Sequence, residues 1–179
     1  MKTDNLERYL ESFGRNVVQE SKKLLGKAKG STALANSIRF KVESDDIGFS
    51  TKFYMYDYGT YLDEGVSGNQ KKQYFVDYKG KKRSSPYSYT TKGPPIDILS
   101  KWIKKKGIKP KGFGRGRSKN TGQYISAFAY LISRKIKRDG IKSLSFFQKP
   151  LGIGYDKLQN ELLQILKVDI QTYLTTFTK

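Results

Sequence analysis

The first 26 residues carry apolar side chains at intervals of three and four, which is the period of an amphipathic α-helix. Asp4 and Glu7 stand three positions apart at its start, as in a capping box, and Gly26 is a typical stop. The pattern therefore predicts a helix over residues 4–25, followed by a linker over Gly26–Thr32. Its buried positions are expected to be Leu6, Tyr9, Leu10, Phe13, Val17, Leu24 and Leu25.

A stretch of alternating apolar and polar residues follows, and this period of two is typical of strands with one buried face. The polar tripeptide Ser44-Asp45-Asp46 divides it into two halves, so the pattern predicts an antiparallel hairpin. The chain is then expected to leave the sheet over Tyr58–Gly65. The alternating positions are Ile38, Phe40, Val42, Ile47, Phe49, Thr51, Phe53 and Met55.

Residues 66–93 form a polar, basic excursion that has aromatic residues on both sides of Lys79-Gly80. A glycine turn between two aromatic groups predicts a small second hairpin. Pro94-Pro95 then opens a short helix, because proline suits the first helical turn, and Gly107 closes it. The side chains expected on one side of this helix are Ile96, Leu99, Trp102 and Ile103.

Two further segments with a helical period complete the chain. The first spans about Thr121–Asp139 and stops at Gly140, and the second spans about Tyr155–Tyr173. Before them, Lys109–Asn120 is rich in glycine and basic residues, which predicts a loop. The expected inward positions are Tyr124, Ile125, Phe128, Leu131, Ile132 and Ile136 in the first segment, and Leu158, Leu162, Ile165 and Leu166 or Val168 in the second.

This order of elements predicts an α+β fold with a long N-terminal helix, an antiparallel β-hairpin sheet, basic loop-rich excursions and two further long helices. The chain has 179 residues and no internal repeat, which fits a single domain over residues 1–179. Residues 66–93 and 107–120 are the basic excursion and loop segments within it.

The charge of the chain is large and unevenly distributed. There are 35 Lys and Arg residues against 16 Asp and Glu, a net charge of +19. Residues 1–65 and 151–179 are each neutral, whereas residues 66–150 hold 22 basic and 3 acidic side chains. A neutral frame with a basic insert predicts contact with a polyanion or with an acidic protein face. The candidate contact residues are Lys71, Lys72, Lys81, Lys82, Arg83, Lys109, Lys111, Arg115, Arg117 and Lys119.

The composition also excludes several kinds of site. The chain has no cysteine and no histidine, so it has no thiolate nucleophile, no Ser-His-Asp triad and no zinc site of the usual ligands. No apolar run reaches the length of a membrane span. We therefore expect a non-enzymatic protein without metal or cofactor and without membrane contact.

Two alternatives remain open from the residues. Aromatic side chains interleaved with lysines around Tyr74–Arg83 are typical of nucleic-acid binding without sequence preference. A metal-dependent nuclease would need a carboxylate cluster, for which Asp57, Asp63 and Glu64 are the candidates. Asp63 and Glu64 are adjacent, however, and on an extended chain they would point to opposite faces.

Two local motifs occur in a characteristic order. The first is Tyr58-Gly-Thr-Tyr-Leu-Asp-Glu-Gly65, expected at the end of a strand, and the second is Gly140-Ile-Lys-Ser-Leu-Ser-Phe-Phe147, after a helix rich in Arg and Lys. A segment with Leu34, Ser37 and Ile38 precedes both. This order resembles the head–tail joining, or tail-completion, proteins of tailed bacteriophages. The motif residues that carry the resemblance are Tyr58, Tyr61, Glu64, Gly65, Gly140, Ile141, Phe146 and Phe147.

The resemblance implies a structural protein of the virion that is made in the host cytoplasm. It would form a homo-oligomeric ring at the head–tail junction, next to the portal or to neighbouring neck and tail proteins. Such a ring surrounds the channel for DNA, so the basic tract would face DNA or an acidic partner. On this interpretation, Lys71–Arg83 and Lys109–Asn120 are expected to be ordered only by neighbouring subunits, since like charges repel and glycines raise the entropy cost of order.

Overall fold

The computed structural model describes residues 4–27, 32–45, 48–108, 115–117 and 124–177. Its elements are α1 (Asp4–Lys27), α2 (Thr32–Ser37), β1 (Arg39–Ser44), β2 (Phe49–Tyr54), α3 (Tyr58–Glu64), β3 (Val66–Ser67), β4 (Tyr74–Val76), β5 (Lys82–Ser84), α4 (Ile96–Lys105), β6 (Arg115–Arg117), β7 (Tyr124–Ser126), α5 (Ala127–Asp139), β8 (Gly140–Ile141) and α6 (Gln148–Phe177). The strands of these ranges pair two by two, as β1–β2, β3–β8, β4–β5 and β6–β7. The predicted α+β class is confirmed, with helix predominating.

The chain divides into two compact units, each built from segments that are not contiguous in sequence. Unit 1 comprises Met1–Asp63, Val76–Arg83 and Leu144–Lys179, and unit 2 comprises Glu64–Phe75 and Ser84–Ser143. The single domain that the length suggests stays a prediction. In the described ranges, no helix combines the length and the apolar character that a membrane crossing requires.

The core of unit 1 lies between α1 and the β1–β2 hairpin. Phe40 on β1 is directly opposite Phe53 on β2, and the Phe53 ring also contacts Phe13 of α1 at a centroid distance of 6.0 Å. Gly14 lets the Phe40 ring lie against the α1 backbone, where a Cβ would overlap it. The predicted hairpin is therefore confirmed. The buried cluster consists of Val18, Leu25, Leu34, Ile38 and Phe146.

Helix α6 packs along α1 in unit 1. Asp169 is 2 % exposed, and its carboxylate accepts hydrogen bonds from the backbone N–H groups of Asn5 (3.3 Å) and Leu6 (3.1 Å) and from Asn5 Nδ2 (2.8 Å). These N–H groups belong to the first turn of α1, where the helix itself provides no acceptor. A residue far along the chain therefore caps the N-terminal helix.

The prediction that the last helix begins near Tyr155 is wrong, because α6 begins at Gln148. Pro150 lies in the first turn, where proline is tolerated. Gly152 lies against the backbone of Tyr78 and Gly154 against the Phe13 ring, so both glycines serve close packing within unit 1. Among the expected inward positions of α6, Val168 is exposed.

The structure also differs from the prediction in two further short segments. Thr32, expected to end a linker, begins helix α2, and Leu34 of this helix is fully buried. Tyr58–Glu64 forms helix α3 rather than the end of a strand. Gly59 lets this helix pack closely against Met55, since a Cβ would lie 2.7 Å from the Met55 sulfur. The expected position Ile47 lies outside the described residues.

Unit 2 contains α4 and α5, which pack on each other. Ile103 of α4 and Ala129 of α5 are buried, whereas Trp102 and Leu131, both expected inward, are exposed. Helix α4 ends as predicted, because Gly107 adopts φ +64° and its N–H donates to the Lys104 carbonyl. Lysines in the last turn suit the negative end of the helix dipole.

Two predictions about the sequence before α5 are wrong. Arg115–Arg117, expected in a loop, form strand β6 and pair with β7 in the register Arg115↔Ser126 and Arg117↔Tyr124. Tyr124 and Ile125, expected in the helix, belong to β7, so α5 begins at Ala127. Pairing with the nearby strand β6 overrides the helical period at Tyr124 and Ile125.

Candidate functional site

The two motifs of the resemblance are in direct contact, although about 80 residues separate them. In unit 1, the N–H groups of Leu144 and Ser145 donate to the carbonyl oxygens of Leu62 (2.9 Å) and Asp63 (3.1 Å). The Phe147 N–H donates to Asp63 Oδ1 at 2.8 Å. The Asp63 side chain is 2 % exposed. It therefore fixes the entry of the chain into α6.

The contact between the motifs continues in unit 2 as a short antiparallel strand pair. Val66 pairs with Ile141 and Ser67 with Gly140. Gly65 and Gly140 adopt φ +76° and +77°. A Cβ on Gly65 would lie 2.7 Å from the Ile141 carbonyl oxygen, and one on Gly140 would overlap the Val66 carbonyl. Both glycines are therefore required by conformation and by space.

The other motif residues divide into a buried and an exposed group. Phe146 is 1 % exposed, and Phe147 packs edge-on against Phe53 at 5.3 Å between ring centroids. Tyr58 and Tyr61 are exposed. Partial burial raises the pKa of the Glu64 carboxyl. Asp63, which the sequence offered only as a candidate metal ligand, is the side chain that joins the motifs.

The candidate contact residues fall into both units. Lys71 and Lys72 are exposed in unit 2 just before β4, and Lys81 and Lys82 are exposed in unit 1 at the turn and start of β5. Arg83 donates from Nε to Asp77 Oδ2 and is therefore engaged within unit 1. Arg115 and Arg117 lie on β6. Lys109, Lys111 and Lys119 are outside the described residues.

The β4–β5 hairpin orders its own turn, which corrects the expectation that only neighbouring subunits order Lys71–Arg83. Asp77 Oδ1 accepts the N–H groups of Lys79 (3.0 Å) and Lys81 (2.9 Å). The Gln148 side chain accepts the Tyr78 N–H at 2.9 Å. The hydrogen bond from Arg83 lowers the pKa of the Asp77 carboxyl, and the two backbone donors act in the same direction.

The charge of the chain is concentrated in unit 2. Its sequence holds 17 Lys and Arg residues against 3 Asp and Glu, a net charge of +14, whereas unit 1 holds 18 against 13, a net charge of +5. Because unit 2 is the smaller unit, its charge density is several times higher. Such a surface attracts polyanions at long range.

A cleft of about 800 Å³ lies within unit 2 along helix α5. Four cationic side chains of α5 line it together with the exposed Tyr130 and with Asn69 and Gln70. The Arg134 guanidinium lies 5.8 Å from the centroid of the Tyr130 ring. These cations were missed as candidates, because their place near a helix end explains them by the dipole alone. They are Arg134, Lys135, Lys137 and Arg138.

The carboxylates proposed for a nuclease do not form a metal site in the described part of the chain, where no group of three or more potential ligands comes together. One oxygen of Asp63 is occupied by the Phe147 N–H. Asp63 is also buried, whereas Asp57 is exposed. The structure gives this alternative no geometric support.

Comparisons with known proteins add no relative. A scan against protein-family models, a search of curated proteins and a search of solved structures each find no match to this chain.

Proposed function

We propose that this chain is a non-enzymatic structural protein of a tailed-phage virion, a ring-forming subunit at the head–tail junction. The observation that supports it most is the contact between the motif around Asp63 and the motif ending at Phe147. These are the segments on which the resemblance rests. Their contact supports the proposal because it joins the two segments into one structural element.

The exposed apolar side chains of α6 support a subunit that assembles with neighbours. Leu163 is 76 % exposed, and Ile170 and Leu174 follow it at seven and eleven positions along the helix. This spacing places the three on one side of α6. Exposed apolar groups in series mark surfaces that bury against another protein.

The basic character of unit 2 supports a surface that faces DNA or an acidic partner in such a ring. DNA moving through a channel requires contacts that do not depend on base sequence, and lysine and arginine contacts to phosphates have that property. The alternative function is a nucleic-acid-binding protein that does not assemble. The basic cleft along α5 is the observation that favours it.

The test is the oligomeric state of the full chain, measured by mass photometry and negative-stain imaging, alone and with portal-containing particles. We expect cyclic oligomers or incorporation into the particles. A strictly monomeric chain that never joins them would contradict the proposal. The double variant Leu163→Gln with Leu174→Gln should weaken assembly, whereas the control Gln164→Ala with Gln171→Ala, at exposed polar positions of the same helix, should not.

The remote alternative of a metal-dependent nuclease has its own test. Supercoiled DNA is incubated with the chain and with magnesium or manganese. Nicking that disappears in an Asp57→Asn variant would favour the nuclease, and intact DNA would remove it.

A further inference from the structure

The cations along the cleft of unit 2 carry more charge than their immediate surroundings neutralise. In the described part of the chain, Arg138 pairs with Asp139 at 2.8 Å, while Arg134 and Lys135 form no ion pair. The hydrogen bond from Arg138 lowers the pKa of the Asp139 carboxyl, and Lys71 and Lys135 act in the same direction. The Asp139 carboxylate is thus ionised at neutral pH, but its single charge is less than that of the four cations that line the cleft.

The end of helix α5 does not need these cations as hydrogen-bond donors. The last carbonyl groups of α5 already have partners, because Asn69 N–H donates to the Lys137 carbonyl (2.9 Å) and Gln70 N–H to the Arg138 carbonyl (3.2 Å). The Gln73 side chain donates to the Asp139 carbonyl at 2.7 Å. The Lys137 ammonium donates to the Thr91 carbonyl instead. Arg134 and Lys135 therefore line the cleft without an ion pair among the described residues.

Their spacing suits an extended polyanion. Tyr130, Arg134 and Arg138 follow one another at intervals of four residues on one side of α5, which covers about 12 Å of helix axis. A strand of duplex DNA carries a phosphate about every 3.4 Å of its axis, so the same length presents three or four phosphates.

The remaining groups of the cleft are also suited to phosphates. Guanidinium groups bind phosphate oxygens through paired N–H donors. The side-chain amides of Asn69 and Gln70 line the same cleft and provide further donors. The Arg134 guanidinium also lies over the Tyr130 ring, and this cation–π contact favours its position beside the cleft.

We propose that this cleft binds the phosphodiester backbone of nucleic acid, with Arg134 and Lys135 as its principal contacts. The inference rests on the proposed function, which identifies the nucleic acid as the DNA in the channel of the ring. In that ring, α5 would provide the surface that faces the DNA. It makes no use of base edges, so the binding is independent of sequence.

The experiment measures binding of the full chain to a labelled duplex of mixed sequence between about 50 and 200 mM salt. The cleft variant is Arg134→Gln with Lys135→Gln. The control, Lys157→Gln with Lys167→Gln, removes the same charge from exposed positions on α6 of unit 1. Glutamine has a helix propensity close to those of lysine and arginine, so folding is preserved in both.

We expect the cleft variant to bind on the order of ten- to a hundredfold more weakly at about 100 mM salt, with a log–log salt slope smaller by about 1.8. The control should bind like the wild type. Equal losses in both variants, a loss in neither, or no wild-type binding at about 50 mM salt would overturn the assignment.

Ring formation is measured on the same samples, so the two proposals fail separately. If the chain is monomeric but its DNA binding depends on the cleft, the ring proposal is wrong and the cleft assignment stands. If the chain forms a ring whose DNA binding does not depend on the cleft, the ring proposal stands and the cleft assignment is wrong. If the cleft variant binds DNA normally but no longer joins neighbouring neck or tail proteins, the cleft serves an acidic protein, and the nucleic-acid assignment is wrong.

Discussion

Unit 1 and unit 2 achieve order in different ways. Unit 1 has the two longest helices of the described chain and an aromatic cluster around Phe53, and its net charge is only +5. Unit 2 is made of short elements, carries +14, and is held by close backbone contacts such as those of Gly65 and Gly140. Apolar burial therefore dominates the first unit, and backbone hydrogen bonding with glycine packing is prominent in the second.

Under the proposed function, this difference would separate two tasks of the subunit, assembly in unit 1 and contact with DNA in unit 2. A surface with a high density of one sign of charge repels itself, which opposes compaction. Backbone contacts do not require buried apolar side chains. Unit 2 can therefore have charged side chains at many of its positions. Unit 1 in turn exposes apolar residues on α6 that a neighbour can cover.

The largest effect should come from breaking the core of unit 1. Phe146→Ala is expected to lower the free energy of unfolding by about 3–5 kcal/mol, because a buried ring is lost and a cavity remains. Urea unfolding followed by circular dichroism measures it. Leu144→Ala, at an exposed neighbouring position, should change stability by less than about 1 kcal/mol. Similar losses at both positions would mean that Phe146 is not a core residue in solution.

The counterpart in unit 2 is Gly140→Ala, which we expect to cost about 2–4 kcal/mol. The substitution introduces the strain of a positive φ and a clash with the Val66 carbonyl. Gly107→Ala is the matched control in the same unit, since Gly107 has φ +64° and open space around its Cα. It should cost about 1–2 kcal/mol from conformation alone. Equal values would show that the β3–β8 contact is looser than described.

A smaller effect is expected for the cap that α6 provides to α1. Asp169→Ala should destabilise the chain by about 1–2 kcal/mol, because two backbone donors of α1 and the Asn5 amide lose their acceptor. Asp169→Asn retains one side-chain oxygen and should recover part of the loss. Thermal unfolding of the wild type and the two variants at equal concentration measures the order of their stabilities. An alanine variant as stable as the wild type would contradict the cap.

The smallest effect concerns the pH dependence of the Asp77 turn. The hydrogen bond from Arg83 holds the folded pKa of Asp77 below the ordinary value of an aspartate. Its contribution to stability is therefore present above that value and lost as pH falls through the folded pKa. Asp77→Asn should be less stable than the wild type near pH 6, and the difference should shrink toward pH 3. Melting temperatures across this range measure it, and a constant difference would contradict the ion pair.

Local patterns predicted the elements whose reasons lie within their own sequence. The apolar period of residues 4–25 predicts α1, and the alternation around Phe40 and Phe53 predicts the β1–β2 hairpin, because each pattern reflects one buried face. Gly107 and Gly140 mark the ends of α4 and α5, since both adopt the positive φ that glycine tolerates. The uneven charge, too, is a property of the sequence alone.

Only the tertiary structure decided the features that depend on distant segments. The β3–β8 pair is one of them, since Val66 pairs with Ile141 across more than 70 residues of sequence. The roles of Asp63 and Asp169 as acceptors for remote N–H groups follow from proximity in the fold, which residue spacing does not encode. The cleft along α5 likewise requires the loop at Asn69, which binds the helix end and leaves its cations available. Local periodicity reports which face of an element is buried, whereas the partner that buries it or satisfies its backbone is chosen by packing.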